Sequence, residues 1–97
     1  MACAKPVIAS NTSGHKDIVT AENALLLNEL RDISISGPDN QLIARWQEPS
    51  LDELVARIEY AYHHREEIKK TGIKAGQDLQ KFTWEHTAQQ LLDLVKL

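Results

Sequence analysis

The run Pro6-Val7-Ile8-Ala9-Ser10 constrains this chain most. It is short, apolar from Pro6 through Ala9, and β-branched at Val7 and Ile8. Such a run fits a strand buried on both faces, as in a parallel sheet. Pro6 also disfavours helical backbone at Lys5, so Met1 to Ala4 is expected to be the last turn of a helix that stops there. Asn11-Thr12-Ser13-Gly14 follows the run as a turn of small polar residues. His15 to Val19 is expected to form a short helix with Ile18 and Val19 turned inward. Ala24 to Leu27 is a second apolar run of strand length.

The chain falls into two unlike halves within one domain or part of one, residues 1–49 and 50–97. The first half is short apolar runs broken by Gly, Pro, Asn and Ser. Ser36-Gly37-Pro38-Asp39-Asn40 is a loop signal, and Ile43 to Trp46 reads as a third, edge-like strand. Residues 28 to 41 otherwise carry no clear pattern. The second half is helical almost throughout. Ser50 and Glu53 form a Ser-x-x-Glu capping box. Leu51, Leu54, Val55, Ile58, Ala61, Tyr62 and Ile68 then recur at helical spacing. Gly72, after Lys69 and Lys70, is expected to end this helix. A short helix over residues 73–81, weakened at Gly76, and a last helix capped by Thr83 complete the tail.

Bulk properties exclude several classes. With 97 residues the chain buries only about 60–65% of its unfolded surface, so its stability margin is small. A net charge of −3 disfavours a nucleic-acid binder, which needs a basic face. No apolar run approaches the roughly 20 residues of a membrane span. Met1 to Pro6 lacks a basic region followed by an apolar core, so no signal peptide is expected. The single cysteine, Cys3, has no internal partner, which suits a reduced, cytoplasmic setting.

The order of strand, polar turn, short helix, strand and helical tail fits an α/β sheet, and such sheets bind ligands at the carboxyl ends of their strands. That place here is the Ser10 to Gly14 turn. The residues on either side carry a family resemblance. Met1-Ala2-Cys3-Ala4-Lys5-Pro6-Val7-Ile8-Ala9-Ser10 resembles the segment that follows the paired glutamates of retaining GT-B glycosyltransferases. Ser13-Gly14-His15-Lys16-Asp17-Ile18-Val19 is similar to their Gly-Gly-x-x-Glu-Ile-Val. Glu22-Asn23-Ala24-Leu25-Leu26-Leu27 resembles their Asn-Gly-Leu-Leu-Val strand. Trp46-Gln47-Glu48-Pro49 and the capped helix match a Trp-x-x-Pro variant, and Lys81-Phe82-Thr83-Trp84-Glu85 resembles their closing Phe-Ser-Trp-Glu.

The resemblance implies a partial Rossmann-like half-domain, the C-terminal part of a GT-B enzyme, with a short, mostly parallel sheet and a helical tail. It implies a nucleotide-diphosphate sugar as donor and sugar transfer to an acceptor hydroxyl with retention. Donor phosphate contacts would fall on Asn11, Thr12, Ser13 and Gly14, with His15 and Asp17 in support. No cofactor and no metal are implied. The family's two glutamates would precede Met1, and its diphosphate-holding basic residues lie further upstream. Ser13 replaces one glycine and Asp17 the usual glutamate. The chain is therefore expected not to catalyse alone.

Ser13, His15 and Asp17 form a polar turn more readily than a triad, whose members a fold brings together from distant positions. His63 and His64 are neighbours and point apart on a helix, and with Cys3 and His86 far off no zinc spacing appears. Glu66 and Lys70 are expected to pair at i, i+4 on an exposed face. Trp46 and Trp84 are expected to anchor packing rather than stack on sugar. A second functional reading is a non-catalytic binding or assembly module forming homo-oligomers through an exposed sheet edge.

Overall fold

The computed structural model describes residues 1–96. The chain is mixed α/β, with two small sheets and three α-helices. In order, β1 (Ile8–Ser10) leads to a 3-10 turn (Ser13–Asp17). Then come β2 (Leu25–Leu27), β3 (Leu30–Ser36), β4 (Leu42–Pro49), α1 (Leu51–His63), α2 (Arg65–Leu79) and α3 (Trp84–Val95). None of the helices among the described residues is long and apolar enough to cross a membrane.

The apolar run forms a strand, as its composition requires. β1 pairs with β2 in parallel, Ile8 opposite Leu25 and Ser10 opposite Leu27. The N–H groups of Leu25 and Asn11 extend this ladder to Val7 O at 2.9 Å and Leu27 O at 3.0 Å. The larger pairing, however, is antiparallel. β3 and β4 form a hairpin from Leu30 opposite Pro49 to Ser36 opposite Leu42, with a bulge near its tip. "Mostly parallel" therefore does not describe the strands. The hairpin's first strand and its turn occupy the stretch that showed no clear pattern, and β4 covers the strand expected at Ile43 to Trp46. Ile33 and Ile35 alternate with Asp32 and Ser34 there, the two-residue period of a strand with one wet face. Its turn closes through Gly37 N–H to Gln41 O at 2.8 Å, with Asn40 at φ 57°.

The helices also differ from the expected division. The break falls at His64 (φ −125°, ψ 44°), where α1 ends with the His64 ring stacked on Tyr60 at 4.1 Å. α2 then continues straight through Gly72 and Gly76, both buried. Neither glycine is a stop. They let α2 lie directly against the N-terminal segment. A Cβ on Gly72 would come within 2.7 Å of Ala4 O and Pro6 N, and one on Gly76 within 3.1 Å of Ala4 Cβ. Met1 to Ala4 forms a single turn closed by Ala4 N–H to Met1 O at 2.9 Å. No helix is assigned there; Ala4 sits at φ 58°.

Caps form where the sequence places them. Ser50 Oγ accepts from Glu53 N–H, and Thr83 Oγ1 from His86 N–H. Only half of the Ser50 box closes, because the Glu53 carboxylate accepts instead from Glu29 N–H at 3.0 Å. That contact ties α1 to the segment joining β2 and β3. Glu66 pairs with Lys69 rather than with Lys70.

The core is small. Val19, Ala24, Leu27 and Ala75 are its buried apolar residues. The radius of gyration is 17.5 Å and the thinnest extent 17 Å, whereas a compact chain of this length has a radius of about 12.5 Å. The molecule is a flat plate. Trp46 and Trp84 anchor no packing: they are 62% and 91% exposed.

Gly72→Ala separates two opposing effects. The added methyl favours helix by about 1 kcal/mol. It also drives into backbone atoms that cannot rotate away, at a cost of about 1–3 kcal/mol. The clash is expected to win, lowering the urea midpoint, and Gly76→Ala is expected to cost less.

Candidate functional site

The parallel pair carries both strands' carboxyl ends to one place. Asn11 to Gly14 leave β1 there, and Asn28 leaves β2 beside them. Asn11 Nδ2 donates to Asn28 Oδ1 at 3.0 Å. The Thr12 hydroxyl donates to Gln47 Oε1 on β4, and Gln47 Nε2 donates on to Asp32 Oδ1 at 3.4 Å. The turn thus sits between β2 and the hairpin.

Backbone geometry leaves donors free at this point. The N–H of Asn11 is taken by Leu27 O, that of Thr12 by Ser10 O at 2.9 Å, and that of His15 by Thr12 O at 3.2 Å. The N–H groups of Ser13 and Gly14 donate to no acceptor among the described residues. Ser13 lies at φ 52°, so its left-handed backbone re-aims the chain between strand and 3-10 turn. A Cβ on Gly14 would meet nothing within 4 Å, so the turn faces open space. Two neighbouring free amides can hold an anionic oxygen. No lysine or arginine among the described residues hydrogen-bonds at the turn.

The remaining candidates do not converge. His15 is exposed, and its Nδ1 lies 3.2 Å from Ser10 O. It makes no hydrogen bond to Ser13 or Asp17, so the three residues form no triad. Asp17 is exposed and lies instead on the rim of a separate groove of about 740 Å³. No group of three or more His, Cys, Asp and Glu suited to a metal occurs among the described residues. Asn28 and Gln47 are the site residues that sequence reasoning missed. Asn28 could have been found, since it directly follows β2. Gln47 reaches the turn across 35 positions, and no local signal marks it.

The groove behind the turn has its own polar centre. Asn23 is 1% exposed. Its Nδ2 donates to Ile18 O at 3.0 Å and to Asp78 Oδ2 at 2.9 Å, and its Oδ1 accepts from Thr20 N–H at 2.7 Å. The side chain is thus bonded from both ends and holds the loop before β2 against α2. The Lys74 ammonium, 2.9 Å from Asp78 Oδ1, holds the Asp78 carboxyl below its ordinary value, and Asn23 adds to this. The same pairing raises Lys74 above its own. Elsewhere, the hydrogen bond to Glu67 raises the Tyr60 hydroxyl.

Comparison with protein-family models, with curated proteins and with solved structures finds no match to this chain.

The Asp78 linkage has a definite sign. Its folded pKa lies below its unfolded one, so the stability it contributes is present at neutral pH and is lost as acid protonates the folded carboxyl. Lys74 acts oppositely: its contribution fades only when the pH rises through its elevated value. The expected result is a falling urea midpoint between about pH 5 and pH 2, with a shallower fall in Asp78→Asn.

Proposed function

We propose that this chain forms part of the donor-side wall of a nucleotide-sugar-dependent glycosyltransferase, as a partial Rossmann-like half-domain. The observation that carries the reading is the pair of free amides at Ser13 and Gly14, beside the carboxyl ends of two parallel strands. In open α/β sheets that is where phosphates are held. The order of the five sequence motifs supports the same assignment.

The chemistry follows from what such a transfer needs. As the glycosidic bond to the nucleotide breaks, negative charge grows on the leaving diphosphate. Fixed N–H donors stabilise it without having to reorganise. Ser13 and Gly14 would supply two, and the Thr12–Gln47 and Asn11–Asn28 hydrogen bonds would keep the turn in place. The donor's ribose and sugar need carboxylates, and its diphosphate needs cations. The turn fixes neither, so other polypeptide must bring them. The chain alone therefore grips weakly and transfers nothing. Its single cysteine, Cys3, is free and exposed, which suits the reducing cytoplasm where sugar nucleotides are used.

Amide chemical shifts test this directly. Titration of the pure chain with uridine-, adenosine- and guanosine-diphosphate sugars is expected to move the Ser13 and Gly14 amides at millimolar ligand, with no sugar released. Shifts that bypass this turn for every donor would remove the donor-wall reading. Sugar transfer by the pure chain would show that it is a complete enzyme.

A further inference from the structure

The chain exposes far more surface than its mass requires. Its accessible area is 7772 Å², against about 5,600 Å² for a compact protein of 10.9 kDa. The excess is about 2,200 Å² per chain, more than the roughly 800 Å² each partner buries in a standard interface. Much of it is apolar and arranged in two regular seams.

The first seam lies on α1. Leu51, Val55, Ile58 and Tyr62 follow one another at intervals of four, three and four residues, and each is at least 46% exposed. This face is not the one that meets the sheet: half-buried Leu54 and Ala61 share that side with Arg57, whose Nε donates to Leu26 O at 3.1 Å. The second seam lies on α3, which is exposed along its whole length. Trp84, Ala88, Leu91 and Val95 repeat the same four-three-four spacing. That spacing is the two-heptad pattern of helices that pack knobs into holes. The helices also match in length, 13 and 12 residues, or about 20 and 18 Å.

We infer that two copies of this chain form a two-fold dimer in which α3 of each lies along α1 of the other. Within one chain the two seams do not meet, for both remain open to solvent. One molecule carries both halves of the complement, so a single two-fold axis covers both at once. The contact is helix on helix at a shallow crossing angle, not strand to strand. It is independent of whether the Ser13–Gly14 turn holds a phosphate.

Sedimentation velocity of the full chain from about 1 to about 200 μM is expected to show a monomer–dimer equilibrium. Ile58→Glu and Leu91→Lys sit at the centres of the two seams. Each alone is expected to raise the dissociation constant about a hundredfold or more, because it buries an unpaired charge. Both together in one chain place opposite charges across each contact, and are expected to recover binding to within about tenfold of the parent. Unchanged far-ultraviolet circular dichroism would confirm that the exposed substitutions leave the helices intact. A monomer at every concentration overturns the proposal. So does a dimer that neither single variant weakens, which would point to pairing through a sheet edge. A double variant no tighter than the singles shows that the seams do not face each other, and overturns it too.

Discussion

The absence of a side chain at Gly72 is the constraint on which the rest of this structure depends. The backbone of Ala4 to Pro6 occupies the space where a Cβ would stand. Because α2 can come that close, β1 begins against a helix rather than in solvent. The same helix presents Asp78 to Asn23, which fixes the loop leading into β2. α2 thus fixes the segments that lead into both strands of the parallel pair, while α1 packs on the strands themselves. The contact is bought with conformational freedom, since two glycines in a helix interior cost about 1 kcal/mol each. Close packing and the buried Asn23 network offset that loss.

Around this small centre the fold is incomplete as a hydrophobic object. Val19, Ala24, Leu27 and Ala75 fill the core, while the hairpin leaves Leu42, Ile43 and Trp46 exposed and α3 is exposed along its length. A two-stranded hairpin has little stability of its own in water. This one is tied at its root, by Thr12 to Gln47 and by Glu29 to Glu53. Openness and function connect here. A surface that presents free amides but no fixed cation can contribute to a phosphate site without being one by itself. A plate with two matched helical seams has a surface still to be covered.

What the sequence disclosed, it disclosed through local chemistry. The run from Pro6 yielded a strand at Ile8 to Ser10 because its β-branched apolar residues favour extended, buried backbone, and Ser50 and Thr83 capped helices because their hydroxyls reach the next turn. Gly72 was misread because the residue that ends helices is also the one that lets helices approach backbone. Only the partner at Ala4 and Pro6 distinguishes the two. The β3 strand was missed although Ile33 and Ile35 alternate, since charged Arg31 and Asp32 at its start obscured the pattern. At the candidate site, Asn11 to Gly14 were in view from the strand-end rule. Gln47 was not, because its contact with Thr12 depends on how a distant hairpin is hung. The tryptophans, expected inside, lie outside because β4 turns Trp46 to solvent and α3, which carries Trp84 at its start, packs no side chain into the core.

Native-state hydrogen exchange on dilute protein tests the central claim most directly. If α2 and the strand pair are one unit joined at Gly72 and Asn23, the amides of Ala24, Leu25, Ala75 and Gly76 are expected to exchange slowest and with a single common opening free energy. The amides of β3, β4 and α3 are expected to open earlier. Slowest exchange in the hairpin, or α2 opening separately from Ala24 and Leu25, would contradict the account.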